Sequence, residues 1–378
     1  MHDRHAAYYT EFAERSALGM TGPEQAEWAG RIEREYQNVR GAFGRSLGGG
    51  DLATAARLCL GLWRYWRGGS HIGEGRDWLA GVLSARGDLG DAVGARVLHA
   101  AAVLAATQDE HETAYRLGGE SLRRAEAAGD RPTRAQARNA LGIAAIGGGD
   151  YRAATDHFQQ SLAIWRELGQ PQGTAIALGN LTKVALRLGD IAAADGYADQ
   201  CLALERAAGN TRGIVLGLAC LGQIRLAQGD APGARAVLEE SVALSRTLGD
   251  LFGEATALHQ LAQAARSEGD EREALRLLTA ALARRREVGD REDLAVSLDS
   301  VADLVAPGDP ALAARLLGAA HRLRDRHRLP VPPEIAEQVG HTTVAVRAAL
   351  AEGEFAAAWT AGRTAPLDVI VDQVLDLV

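Results

Sequence analysis

A chain of 378 residues with 47% apolar but only 5% aromatic side chains fills its core with Ala, Leu and Val, the composition of closely packed helices. Its formal charge of −8, from 49 acidic against 41 basic residues, removes any overall attraction to nucleic acid or to an anionic membrane. Cys59, Cys201 and Cys220 are odd in number and widely spaced in apolar surroundings, as buried thiols in a reducing cytoplasm are, unlike disulfides or a zinc site. No stretch approaches the ~18 apolar residues of a membrane span, and MHDRHAAYYTEF has no signal-peptide run, so a cytoplasmic location is expected.

In chain order, residues 5–18 and 23–47 read as two helices, the second opening at Pro23, where a missing amide is harmless. They form an N-terminal helical cap, 1–50. A first aromatic-rich hairpin is expected over 51–90. It contains LWRYWRGGSHIGEGRDWL, with three of the six tryptophans. Trp63 and Trp66 lie at i, i+3 on a helix that is apolar nearly all round, and Gly68-Gly69-Ser70 turns the chain towards Trp78. An aromatic and arginine binding site is one reading. Packing against the preceding helices is the preferred one, with Glu74 and Arg76 available for ion pairs.

From residue 91 a period governs the sequence. Gly-Asp pairs stand at 149–150, 189–190, 229–230 and 269–270, and a second series midway between them begins at Gly129, Gly169, Gly209, Gly249 and Gly289. Glycine past a helix end can turn left-handed and close its last carbonyls, and the Asp after it can cap the next helix. Stacked at forty residues, the periods align Leu141-Gly142, Leu181-Thr182, Leu221-Gly222, Leu261-Ala262 and Val301-Ala302 in the first helix. In the second they align Ala154, Ala194, Ala234, Ala274 and Ala314, then Ser121-Leu122, Ser161-Leu162, Cys201-Leu202, Ser241-Val242 and Ala281-Leu282. Large beside small lets helices approach closely.

This pattern resembles tetratricopeptide repeats with a forty-residue period, six hairpins over 91–328, the last degraded by Pro307-Gly308-Asp309-Pro310. After LPVPP at 329–333, a C-terminal helical cap over 329–378 holds helices at about 334–350, 353–362 and 366–377, with Thr364 as the expected cap of the last. The fold expected is all-α: a right-handed α-solenoid of about seven tetratricopeptide-like hairpins with extra helices at both ends.

The flanks carry a second resemblance, to the C-terminal sensor region of actinobacterial STAND-class transcriptional regulators, which are large signal-transducing ATPases. It runs through Trp28, Glu35, Asn38, Arg40, Trp63, Trp66, Gly75, Arg76, Trp78 and Leu79, and again through Leu316, Gly318, Ala319, Phe355, Trp359 and Gly362. A GxxxxGK[ST] P-loop cannot exist here, because the single lysine, Lys183, sits in LTKV inside a helix. The resemblance therefore implies the sensing and interaction arm, without ATPase or DNA-reading activity. A stand-alone adaptor binding a peptide or partner protein in trans is the alternative, and a cryptic enzyme the third.

In a helical-repeat array ligands lie on the concave face of the first helices. Counting along the repeat places His99, Asn139, Asn180, Lys183, Arg187, Gln223, His259, Gln263, Asp299 and Asp303 there, as binding residues or as solvated polar groups. The LGN at 178–180 is similar to the triplet whose Asn grips an extended peptide in long-repeat tetratricopeptide proteins. Asn and Gln suit that task because each amide offers a donor and an acceptor. Lys183 with Arg187 at i+4 favours a carboxylate or phosphate. The cluster Arg322, Arg324, Arg326, His327 and Arg328, with Arg284, Arg285 and Arg286 before it, reads as a solvated face or domain contact, lacking the aromatic interleaving of a nucleic-acid surface.

No metal spacing, nucleophile–base pairing or dinucleotide fingerprint is present; GEG at 73–75 follows no strand. The expected function is a non-enzymatic module without cofactor or metal. Its expected partners are a protein, a peptide or a small-molecule inducer, not nucleic acid or membrane.

Overall fold

The computed structural model describes residues 2–20, 24–68, 71–85, 87–108, 110–327, 329, 331 and 333–378. Among them are nineteen helices and no strand. They group into two compact units, 1–189 and 190–378. The first holds α1 (His2–Gly19), α2 (Gln25–Gly48), α3 (Leu52–Arg67), α4 (Ile72–Ser84), α5 (Gly90–Thr107), α6 (His111–Ala127), α7 (Arg131–Gly147), α8 (Tyr151–Glu167) and α9 (Pro171–Leu188). The second holds α10 (Ile191–Ala207), α11 (Thr211–Ala227), α12 (Ala231–Leu248), α13 (Leu251–Ser267), α14 (Glu271–Val288), α15 (Arg291–Val305), α16 (Pro310–His327), α17 (Pro333–Ala349), α18 (Glu352–Thr364) and α19 (Leu367–Leu375). No described helix is long and apolar enough to cross a membrane.

The junctions work as their chemistry demands. Every junction glycine from Gly129 to Gly289 has φ between 62° and 82°, the left-handed region that a side chain makes costly. The next residue accepts the amide three positions on: Asp150 from Ala153 at 2.9 Å, Asp190 from Ala193 at 3.0 Å, Asn210 from Gly213 at 3.2 Å, Asp270 from Glu273 at 3.0 Å. Even the Pro-interrupted hairpin keeps this device, Asp309 accepting from Leu312 at 2.8 Å. Thr364 does not cap α19. It is the last residue of α18, its hydroxyl donates back to the Thr360 carbonyl at 2.9 Å, and Pro366 holds the N-cap position without a side-chain bond. Pro23, Gly69, Ser70 and Arg328 lie outside the described residues.

Between junctions the repeated columns are core. Ala154, Ala194, Ala234, Ala274 and Ala314 are all fully buried. A Cβ on Gly142 would stand 2.5 Å from the Phe158 ring, so the absence of a side chain there sets how closely α7 approaches α8. Ser121, Ser161 and Ser241 donate to the carbonyls of Ala95, Ala135 and Val215, at 2.7, 2.8 and 3.3 Å, tying second helix to first with a constant offset of 26 residues. Each such buried bond satisfies a hydroxyl that would otherwise be costly to enclose.

The aromatic stretch is mostly packing. Trp66 is fully buried and donates from Nε1 to the Tyr36 hydroxyl at 3.0 Å, while Trp78 stacks on Phe43 at 4.1 Å and meets Trp66 edge-on at 5.4 Å. Such ring pairs are worth about 0.5–1.5 kcal/mol each beyond the area they bury. Around them Arg40 pairs with Glu74, and Arg76 with Glu110, each at 2.6 Å.

Among the junctions after Gly129 to Gly289, one lacks its cap: Gln170, before α9, has extended backbone but no side-chain bond to the helix. Gln170→Asp should raise stability by about 1 kcal/mol in chemical denaturation, the usual worth of an N-cap. No gain would mean that the neighbouring Pro171 start already satisfies this end.

Candidate ligand-binding face

Each first helix buries the columns that meet its neighbours and leaves a stripe facing away. On α7 this stripe passes through Asn139 and Ile143, and on α9 through Ile176, Asn180 and Lys183, positions three or four residues apart and hence stacked. Asn180 donates from Nδ2 to Asn139 Oδ1 at 2.8 Å, joining the two helices. Both side chains are half-buried, and among the described residues neither has another partner. Whichever way the two amides are turned, one donor and one acceptor are left over, the complement of a peptide unit. Ile143 and Ile176, 38% and 51% exposed, stand one turn from each asparagine and give the dyad an apolar border. Periodicity could have found them, since both fall on the solvent stripe where polar residues are usual.

The other expected face residues divide into open and enclosed. Lys183 and Arg187 are exposed on the last two turns of α9, and Gln223 and Gln263 are exposed on α11 and α13. His99, His259 and Asp299 are instead buried. His259 meets the Arg285 guanidinium at 3.4 Å, and Asp299 is ion-paired with Arg324. Asp303, half-buried, accepts from Arg266 at 2.7 Å, from Gln338 at 2.9 Å and from Thr342, so α17 lies over it. All four positions are covered: His99 by Trp63 of α3, His259 and Asp299 by second helices, and Asp303 by α17 of the C-terminal cap.

Most of the basic cluster is spent internally. Arg284 reaches Glu254 at 3.1 Å, Arg286 reaches Asp372 at 2.7 Å, and Arg322 donates to the Ala365 carbonyl at 2.5 Å. Arg285 is buried with Ser297 and the Asp293 carbonyl as acceptors. Beside these ties a cavity of about 230 Å³ is lined by Arg291, Arg326, His327 and Leu323, among others. The thiol of Cys59, fully buried, is pushed up by desolvation and has no nucleophilic use.

The tetratricopeptide-repeat family model matches residues 95–167, 148–207 and 214–287. These residues are tetratricopeptide repeats. Two mycobacterial proteins whose names describe them as HTH-type transcriptional regulators, one from Mycobacterium tuberculosis and one from Mycobacterium bovis, are each 28% identical over 178 residues. That is 47% of this chain and 16% of each relative, so the chain spans under one fifth of their length.

Solved structures share the helical-repeat fold. A Rap protein complexed with competence and sporulation factor superposes with a TM-score of 0.65 at 12% identity over 99% of both chains. Aspartyl phosphate phosphatase F from Bacillus subtilis gives 0.57 at 13%, over all of this chain and 94% of that one. The apo quorum sensor NprR from B. thuringiensis gives 0.53 at 12%, over 91% and 97%.

Enclosure within the repeats alters two histidines. Burial, with the nearby Arg64 and Arg67 charges, lowers His99 to about 4, and burial with Arg285 lowers His259 to about 3. The unfolded chain takes up a proton at each below about 6.5, which the folded chain refuses until far lower, so acidification through this window favours unfolding. From pH 7 to pH 5 each histidine should remove about 2 kcal/mol of stability, and His259→Gln should lessen the loss by that amount in urea denaturation. An unchanged loss would place the acid sensitivity elsewhere.

Proposed function

We propose that this chain is a non-enzymatic receiving module that binds an extended peptide segment across α7 and α9 and serves as the regulatory arm of a transcriptional regulator. The observation that carries the binding role is the Asn139–Asn180 dyad, with its spare donor and acceptor on an apolar-bordered open stripe. A bound strand has backbone amides to satisfy, and side-chain amides held in place by each other lose little freedom in meeting them.

The regulator setting draws on the HTH-type relatives and on the residues shared with STAND-class sensors, Trp63, Trp66, Arg76 and Trp78 among them. Two proteins with the same fold point the same way: the Rap structure holds competence and sporulation factor, and NprR is a quorum sensor. In such a regulator the ligand must bind one arrangement of the protein better than the other, since equal affinity shifts nothing. The described residues hold no group of three or more His, Cys, Asp or Glu suited to a metal ion.

Peptides selected on the wild-type chain from a random displayed library should bind the Asn139→Ala, Asn180→Ala double variant at least about tenfold more weakly, a loss of about 1.4 kcal/mol, with the unfolding temperature little changed. Equal affinity by calorimetry would overturn the dyad as the binding element. Lys183→Ala should have a smaller effect and one that fades with salt, as for a solvent-exposed charge.

A further inference from the structure

The last turn of α3 carries Arg64 and Arg67, three residues apart and both over the indole of Trp63, with Cζ 4.4 and 5.8 Å from the ring centroid. On the neighbouring first helix α5, His99 meets the same indole edge-on at 5.7 Å. It is only 8% exposed, and its Nδ1 is buried without a hydrogen-bond partner. Three cationic or basic groups thus surround one aromatic ring.

Three nearby arginines do find carboxylates: Arg40 with Glu74, Arg57 with Glu14, Arg76 with Glu110. Among the described residues no carboxylate pairs with Arg64 or Arg67, in a chain where acids outnumber bases. Desolvation lowers both guanidiniums, and Arg67 lowers Arg64 further, so the pair is held together against repulsion. A helix C-terminus tolerates such charge, but it does not supply the acceptor that a partly desolvated guanidinium wants.

The position is as informative as the charge. His99 and Asn139 occupy the same place one period apart, α3 packs on α5, and α5 on α7. The cluster therefore continues the row of first helices that carries the dyad.

We propose that Trp63, Arg64, Arg67 and His99 form a receptor for carboxylate groups, so that the peptide received on this face is acidic at the end nearest α3. The two guanidiniums hold the carboxylate, the buried indole beneath them fixes their position, and His99 adds a hydrogen bond through the nitrogen that is unsatisfied without ligand. The ligand class rests on the peptide reading above; the place rests on this geometry alone.

The probes are a fluorescein-labelled oligo-glutamate octapeptide and its oligo-glutamine counterpart, titrated by anisotropy at low and high salt. Wild-type protein should prefer the glutamate peptide by at least about tenfold at low salt, and less at high salt. Arg64→Gln with Arg67→Gln should abolish the preference while leaving the unfolding temperature within a few degrees. The His99 imidazole resonance should shift on adding oligo-glutamate to wild type and not to this variant. Equal affinity of the two peptides for wild type, a preference retained by the double variant, or an unmoved His99 resonance would each overturn the proposal. The Asn139→Ala, Asn180→Ala variant separates the two readings. If it binds both peptides as wild type does, the dyad reading fails while a surviving glutamate preference still supports the carboxylate receptor.

Discussion

Everything in this fold depends on how little chain separates one helix from the next. A left-handed glycine and a capping Asp or Asn do the whole work of reversal, so the direction of each helix is fixed by the end of the one before. With no loop to absorb error, the columns of small and large residues must arrive in register. They do so because the helices are of nearly equal length, 17 or 18 residues from α5 to α14. Within each unit local backbone chemistry and packing agree at most junctions, and that agreement is what makes a repeat array foldable.

That is also why so much was legible in the sequence. Glycine every twenty residues, Asp or Asn beside it, and an alanine column at forty announced the hairpins and most of their boundaries. Thr364 misled because a hydroxyl near a helix boundary serves either side of it, and here it bonds back into α18.

The candidate face was legible in direction but not in depth. A helical wheel puts His99, Asn139, His259 and Asp299 on the same side, yet only Asn139 stays partly open. What covers His259 and Asp299 comes from far along the chain: Arg285 lies 26 residues after His259, and Arg324 lies 25 after Asp299. Arg285 thus reaches back over the same offset at which Ser121, Ser161 and Ser241 reach first-helix carbonyls. One hairpin geometry thus carries a hydroxyl in some repeats and a buried charge in another. Trp63 and Trp66 are both buried, and what separates them is charge, because only Trp63 has two guanidiniums over it.

The junctions have a consequence for how such proteins change over generations. Asp190, Asp230 and Asp270 begin successive second helices with the same cap, and each follows a glycine in the same conformation. Recombination between any two of these points deletes or duplicates whole hairpins and leaves both new neighbours with a closed end and a capped start. The length of the array can therefore drift without disturbing its local chemistry, so descendants can add or lose reading surface in fixed increments.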